Sequence, residues 1–168
     1  MNKKYELLER DTETGLYLIK ALRDFGDVKA GDVGGYIESE DNLSHKGNCW
    51  VYDNARVYGN AQVFGGAQVF GNAWVTDKAQ VYGNAQVYDN AWVYGSTKVY
   101  NKAQVFGKAE IYENAQVHGV AWVSDTAKIY GHTQISGNAR VFGNARVCGN
   151  AKVSENEDVF NNETERIG

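Results

Sequence analysis

Three histidines and two cysteines are the side chains in these 168 residues with the widest chemical reach. An imidazole near its ordinary pKa can act as general acid or base, and His45, His118 and His132 are the available ones. A zinc centre would need three such ligands converging on one point. A thiol chemistry would rest on Cys49 and Cys148. The chain carries no phosphate loop, no C-x-x-C pair and no nucleophile motif.

What these side chains can do depends on the elements that carry them, and those elements repeat. From Val51 to Asp158 the chain runs through 18 hexads without insertion or deletion. The type unit is Val57-Tyr58-Gly59-Asn60-Ala61-Gln62. Every hexad opens on Val or Ile, and its fifth residue is Ala in 15, Thr97 and Thr133 in two, and Glu157 in the last. Across each boundary the small and aliphatic residues (Ala55, Val57) alternate with larger ones (Arg56, Tyr58), the period of a strand. Gly59-Asn60 breaks the strand, because both residues tolerate positive φ. A four-residue strand and a two-residue corner, taken three times, close a triangle of 18 residues, and the next coil stacks on it at about 4.8 Å. The predicted fold is an all-β, single-stranded parallel β-solenoid whose valines and alanines fill a narrow dry interior.

The repeat fixes where the reactive residues fall. His118 points outward in mid-face, His132 sits at a corner one coil later, and His45 replaces an inward aliphatic near the start, about 19 Å away at strand spacing. No metal site is expected from that arrangement. Cys49 and Cys148 are separated by about 25 Å on the same count, beyond disulfide reach, and both are expected reduced.

The hexad V-Y-G-N-A-Q resembles the repeat of the hexapeptide-repeat left-handed β-helix proteins. The resemblance implies a left-handed triangular coil and side-by-side trimers. It also implies a CoA-dependent acyltransfer activity in which a histidine is general base and acyl-CoA lies between two solenoids. The leader A-L-R-D-F-G-D-V-K-A-G-D-V-G-G-Y-I-E-S-E-D-N-L-S-H, with Cys49-Trp50 shortly after, is similar to the opening of repeat proteins of enteric phages and prophages. It is similar also to that of a related enterobacterial protein described as an acyltransferase.

Three segments follow. Residues 1–32 contain two apolar runs flanking Asp11-Thr12-Glu13-Thr14-Gly15, a predicted β-hairpin that caps the first coil. Residues 33–153 form about seven coils, with Val33 and Ile37 counted as inward and the first coil in register. Residues 154–168 are an acidic tail: Glu157 places a carboxylate at an inward position, so the solenoid is expected to end near Val153. A net charge of −4 argues against a nucleic-acid partner, and no apolar run reaches membrane-spanning length. A cytoplasmic protein is expected.

Position two of the hexad is Tyr or Phe in 12 of 18 units. Sorted by coil, these rings form columns on three faces. The second face adds Trp74 directly below Trp92, while Trp50 and Trp122 fall on the first. Stacked rings are good strand formers and shield the backbone, and that alone accounts for many of them. Contiguous exposed aromatic surface also marks contact sites. The candidate binding residues are Trp74, Trp92, Tyr94, Tyr112 and Tyr130, with Tyr88 and Phe106. Two readings emerge. The first is a non-catalytic solenoid that binds proteins through its aromatic faces, a phage or prophage accessory factor such as an inhibitor of a host defence complex, itself a homo-oligomer. It uses no cofactor. The second is an acyltransferase working between subunits, with acetyl-CoA as cofactor and His118 or His132 as base.

Overall fold

The computed structural model describes residues 2–160 and 165–167. The repeated hexads wind into parallel coils, and each hexad contributes one short strand to one of three sheets. The first face contains Gln68–Val69, Gln86–Val87 and Gln104–Val105 in a seven-stranded sheet. The second contains Trp74–Val75, Trp92–Val93 and Glu110–Ile111 in a ten-stranded sheet. The third contains Gln80–Val81, Lys98–Val99 and Gln116–Val117 in a six-stranded sheet. Between Trp50 and Phe160 residue i pairs with the residue one 18-residue coil on: Val75 opposes Val93, which opposes Ile111. The parallel β-solenoid expected from the period is the fold observed.

Register is held by the interior. Val and Ala point inward in every repeated coil and are almost wholly buried, so a slip of one residue would bring the outward ring or glutamine into the core. Backbone groups are satisfied three times per hexad by the following coil. Asn54 N donates to Gly71 O (3.0 Å), Arg56 N to Ala73 O (2.9 Å) and Tyr58 N to Val75 O (3.1 Å). The corner is more specific than the dipeptide suggests. Positive φ falls on the third residue of the hexad, 67° at Gly59 and 53° at Asp53, whereas the Asn that follows does not adopt it.

The N-terminal segment forms the expected hairpin. Strand β1 (Tyr5–Arg10) pairs antiparallel with β2 (Tyr17–Ala21). Asp11 Oδ1 closes the turn by accepting from Thr14 N (2.7 Å) and Glu13 N (3.0 Å). Strand β3 (Val33–Ile37) then runs antiparallel to β2 and parallel to Arg56–Val57, so the hairpin extends the second face rather than lying on it as a separate lid. Tyr5, Ile19, Phe25 and Val28 join the core beneath the first coil.

Three expectations for this end are corrected. The first coil is not in register with the rest: Ile37 pairs with Val57 and Leu43 with Val63, where an 18-residue coil would bring residues 39 and 45. The slip is absorbed before Trp50, which pairs normally with Gln68. Val33, counted as inward, is 55% exposed because it lies opposite Lys20 in the antiparallel part of the sheet. Trp50, placed on an outward face, is 1% exposed and sits edge-on to Tyr5 and Phe25 (6.0 and 5.3 Å between ring centroids). At the other end the pairing runs past Val153. Asp158–Phe160 pairs with Arg140–Phe142 and Glu165–Ile167 with Arg146–Cys148, and Val159 takes the inward place. The acidic tail expected over 154–168 lies outside the described residues at 161–164 and 168.

Candidate interaction surface

The seven candidate binding residues divide between two faces. Trp74, Trp92, Tyr94, Tyr112 and Tyr130 share the second face and touch in sequence. Trp74 meets Trp92 edge-on (5.6 Å, 80°), Trp92 lies tilted against Tyr94 (5.0 Å), and Tyr94, Tyr112 and Tyr130 stack at 5.1 and 4.9 Å. Tyr88 and Phe106 belong to the first face, in a separate column with Phe70, stacked at 4.6 and 4.9 Å. These spacings are those of the coils, so the strands dictate the stacking; each ring covers the one below it. The position-two rings of the 18 hexads are consequently only half-exposed, and the rings that project most are Phe160 beyond them and two of the position-six tryptophans. Trp92 is 40% and Trp122 is 45% exposed.

Around Trp74 and Trp92 the second face is shaped as well as apolar. Thr76 interrupts the tyrosine column between Tyr58 and Tyr94 and is buried. Arg56 lies over the Trp74 ring (5.4 Å), an arrangement that draws the cation to the ring quadrupole. A shallow groove of about 370 Å³ is bounded by Asn72, Trp74, Asn90, Ala91 and Trp92, mostly apolar with two corner amides at its rim. Farther along the column, Glu110 pairs with Lys128 (3.0 Å). The face thus passes from a cation and two indoles to an ion pair. Tyr94 is pushed up to about 12 by burial and by the nearby Glu110 carboxylate. Tyr130 is likewise pushed up to about 12, chiefly by its hydrogen bond with Cys148. Both phenols are therefore neutral donors at physiological pH.

The histidines do not converge. His118 ends the third-face ring column, stacked on Tyr100 at 4.8 Å, and burial lowers its pKa, which keeps the imidazole neutral. His132 stands at the corner where the chain enters that face, exposed, one coil on. Four residues of strand separate the two edges of a face, about 13 Å. His45 is a cap residue: its ring stacks on Tyr5 (4.2 Å), its Nδ1 accepts from Lys4 N (3.2 Å) and its Nε2 lies 3.4 Å from Glu40. Among the described residues no group of three histidine, cysteine or acidic side chains is placed to hold a metal ion. Cys49 and Cys148 are both free, and both are buried. No helix among the described residues is long and apolar enough to cross a membrane.

Two contributors escaped the sequence reading. Asn72 and Asn90 line the indole groove, and no property of their type singles them out from the other corner asparagines. The corner backbone itself is the second, and a signal for it exists in the third residue of each hexad. On two edges of the prism that residue alternates between acidic and Gly. The carboxylate of one coil accepts the N–H of the glycine in the next: Asp53 takes Gly71 N (3.0 Å), Asp89 takes Gly107 N (3.2 Å) and Glu113 takes Gly131 N (2.8 Å).

Comparison with known proteins follows the repeat. The YdcK Beta solenoid repeat family matches residues 51–65, 67–83, 79–95, 85–101 and 134–149, about two fifths of the chain. One relative from Escherichia coli (strain K12), named "Uncharacterized acetyltransferase YdcK", is 54% identical over 35 residues, 21% of this chain. The chain covers 11% of that protein's length. With the parallel coils, these matches agree in one conclusion: the chain is a hexapeptide-repeat β-solenoid whose repeat is similar to that of YdcK.

Proposed function

We propose that this protein is a non-catalytic solenoid interaction module whose second face docks another protein. The observation that carries the reading is the contiguity of Trp74, Trp92, Tyr94, Tyr112 and Tyr130 around an apolar groove, with Trp92 standing 40% exposed. Buried Trp and Tyr dominate the energetics of protein interfaces, and a rigid face offers them at little entropic cost. Further copies of the chain, side by side in a trimer, are one set of partners. A host or phage protein is the other, with the chain acting as an accessory factor that blocks a host defence complex. The support for that setting is the wording of the leader between residues 21 and 45. The test replaces Trp74 and Trp92 by Ala. Native mass and sedimentation should show the complex lost, with the β signal in circular dichroism intact. Assembly and partner capture unchanged in the double variant would remove this reading.

The name of the Escherichia coli relative favours a second reading, acetyl transfer between subunits. His118, neutral and half-buried, suits a general base, but within one chain His132 lies across the face from it, so a neighbouring copy would have to complete the site. Calorimetry with acetyl-CoA decides: binding that disappears in His118→Ala supports transfer, and no heat at millimolar acetyl-CoA excludes it.

A further inference from the structure

The three edges of the prism are chemically unequal. At the third residue of each corner, the edge joining the first and second faces reads Asp53, Gly71, Asp89, Gly107, Asp125, Gly143. The edge joining the second and third faces reads Gly59, Asp77, Gly95, Glu113, Gly131, Gly149. Six carboxylates accept a glycine N–H of the next corner along these two edges, the remaining three pairs being Glu38 with Gly59 (2.7 Å), Asp77 with Gly95 (3.0 Å) and Asp125 with Gly143 (2.9 Å). The edge joining the third face back to the first reads Gly65, Gly83, Asn101, Gly119, Gly137 before its first acid, Glu155. Along it the fourth-residue N–H groups are all used, Lys102 N donating to Gly119 O (2.8 Å) and Val120 N to Gly137 O (2.8 Å). Among the described residues the third-residue N–H groups of Asn101, Gly119 and Gly137 have no acceptor; those of Asp77, Asp89, Glu113 and Asp125 on the other two edges likewise face a glycine, but each of those corners carries its own carboxylate.

A groove of about 560 Å³ runs along this edge, bounded by Gly83, Asn101, Lys102, Gly119, Val120 and Gly137 among others. On the other two edges acidic side chains fill every second place of this kind, whereas none of the residues lining this groove is acidic. An added Cβ at Gly83 would lie 2.8 Å from Asn101 N, and one at Gly119 would lie 2.8 Å from Gly137 N, so these donors point along the line a side chain from the preceding corner would take. The groove carries one cation, Lys102, and no anion among its lining residues. Oriented backbone N–H groups in a concavity attract anions, and a nearby ammonium adds to that field.

We propose that this edge is a carboxylate-binding site, in which a ligand's carboxylate oxygens accept the N–H groups of Asn101, Gly119 and Gly137 as Asp and Glu side chains accept their counterparts on the other two edges. Its ligand is a carboxylate-bearing chain, either the acidic side chains of an extended partner segment or a free dicarboxylate. The site is on a different part of the prism from the indole groove and does not depend on it.

The test titrates uniformly 15N-labelled protein with glutarate and, separately, with a pentaglutamate peptide, a pentaglutamine peptide serving as control. The amide resonances of Asn101, Gly119 and Gly137 should shift saturably, while those of Gly71, Gly107 and Gly143, already bonded to carboxylates, should not. Peptide binding at least about tenfold tighter than glutarate identifies an acidic partner segment as the source. Equal affinities identify a free carboxylate. Gly119→Asp supplies the carboxylate internally, and should move the Gly137 amide to its ligand-bound position and abolish its response. Should that variant fold poorly, Lys102→Glu leaves the backbone untouched and should weaken binding by about tenfold. No shift at tens of millimolar ligand, or equal shifts at all corner glycines, would overturn the proposal.

Discussion

The first coil and the coils stacked on it solve one problem in two ways. In the repeated coils each Val and Ala meets its own likeness above and below, and stability accrues as a sum of nearly equal neighbour terms. The first coil has no likeness beneath it. There the chain spends eight residues from Leu43 to Val51 where later hexads use six, and fills the open end with unlike side chains. Trp50 lies edge-on to Phe25 and Tyr5, Tyr5 stacks on His45, and the buried Lys4 donates to Cys49 O (2.7 Å). Asn42, also buried, donates to Gly59 O and Ala61 O and accepts from the backbone of Ser39. Repetition makes a position replaceable by its neighbours; the cap has no spare copies.

That contrast orders the expected effects of substitution. Trp50→Ala should cost the most, about 3–5 kcal/mol, because a fully buried indole leaves a cavity that two flanking rings cannot close; urea denaturation reads the loss. Gly34→Ala should follow at about 2–3 kcal/mol, since its Cβ would meet Val51 O at 2.5 Å and the Trp50 ring at 2.7 Å. In the repeated part, Val87→Ala, Val105→Ala and Val117→Ala should each cost about 2 kcal/mol and agree to within about half of that, the mark of equivalent sites. A wide spread among the three would break the comparison.

A finer test uses two threonines at the same inward position. Thr133 donates its hydroxyl to Tyr130 O (2.6 Å), whereas the buried Thr97 hydroxyl has no partner among the described residues. Thr97→Val should stabilise by about 1 kcal/mol and Thr133→Val should destabilise by a similar amount, so thermal melts of the pair should move in opposite directions. The smallest effect concerns alkaline pH. Tyr94 and Tyr130 stay neutral in the folded protein until about 12, while the unfolded phenols ionise near their ordinary value of about 10. Their contribution is complete below about 10 and is lost as pH rises from there through about 12. Tyrosinate absorbance in a spectrophotometric titration should therefore lag for these two residues, and Glu110→Gln should shorten the lag at Tyr94.

Much of the molecule is legible before any coordinates. The mod-18 sorting that puts Tyr94 above Thr76 and Trp92 above Trp74 holds residue for residue, because parallel coils without insertions leave the pairing no freedom. The same sorting, applied to the third residue of each hexad, would have exposed the edge that carries no acid before Glu155. What escaped was of another kind. The count back from Val51 put Val33 inside and Trp50 outside, and both are wrong, since a capping segment answers to the shape of the end it closes and not to a period.

The hexad alone determined the parallel coil, its dry valine and alanine interior and the assignment of rings to faces, because a strict period admits one register. Tertiary structure decided the two-residue slip of the first coil, the burial of Trp50, the partition of ring surface between stacked tyrosines and projecting indoles, and which corner N–H groups find a carboxylate. Those features depend on contacts between residues far apart in the chain and unlike one another, and local alternation carries no record of them.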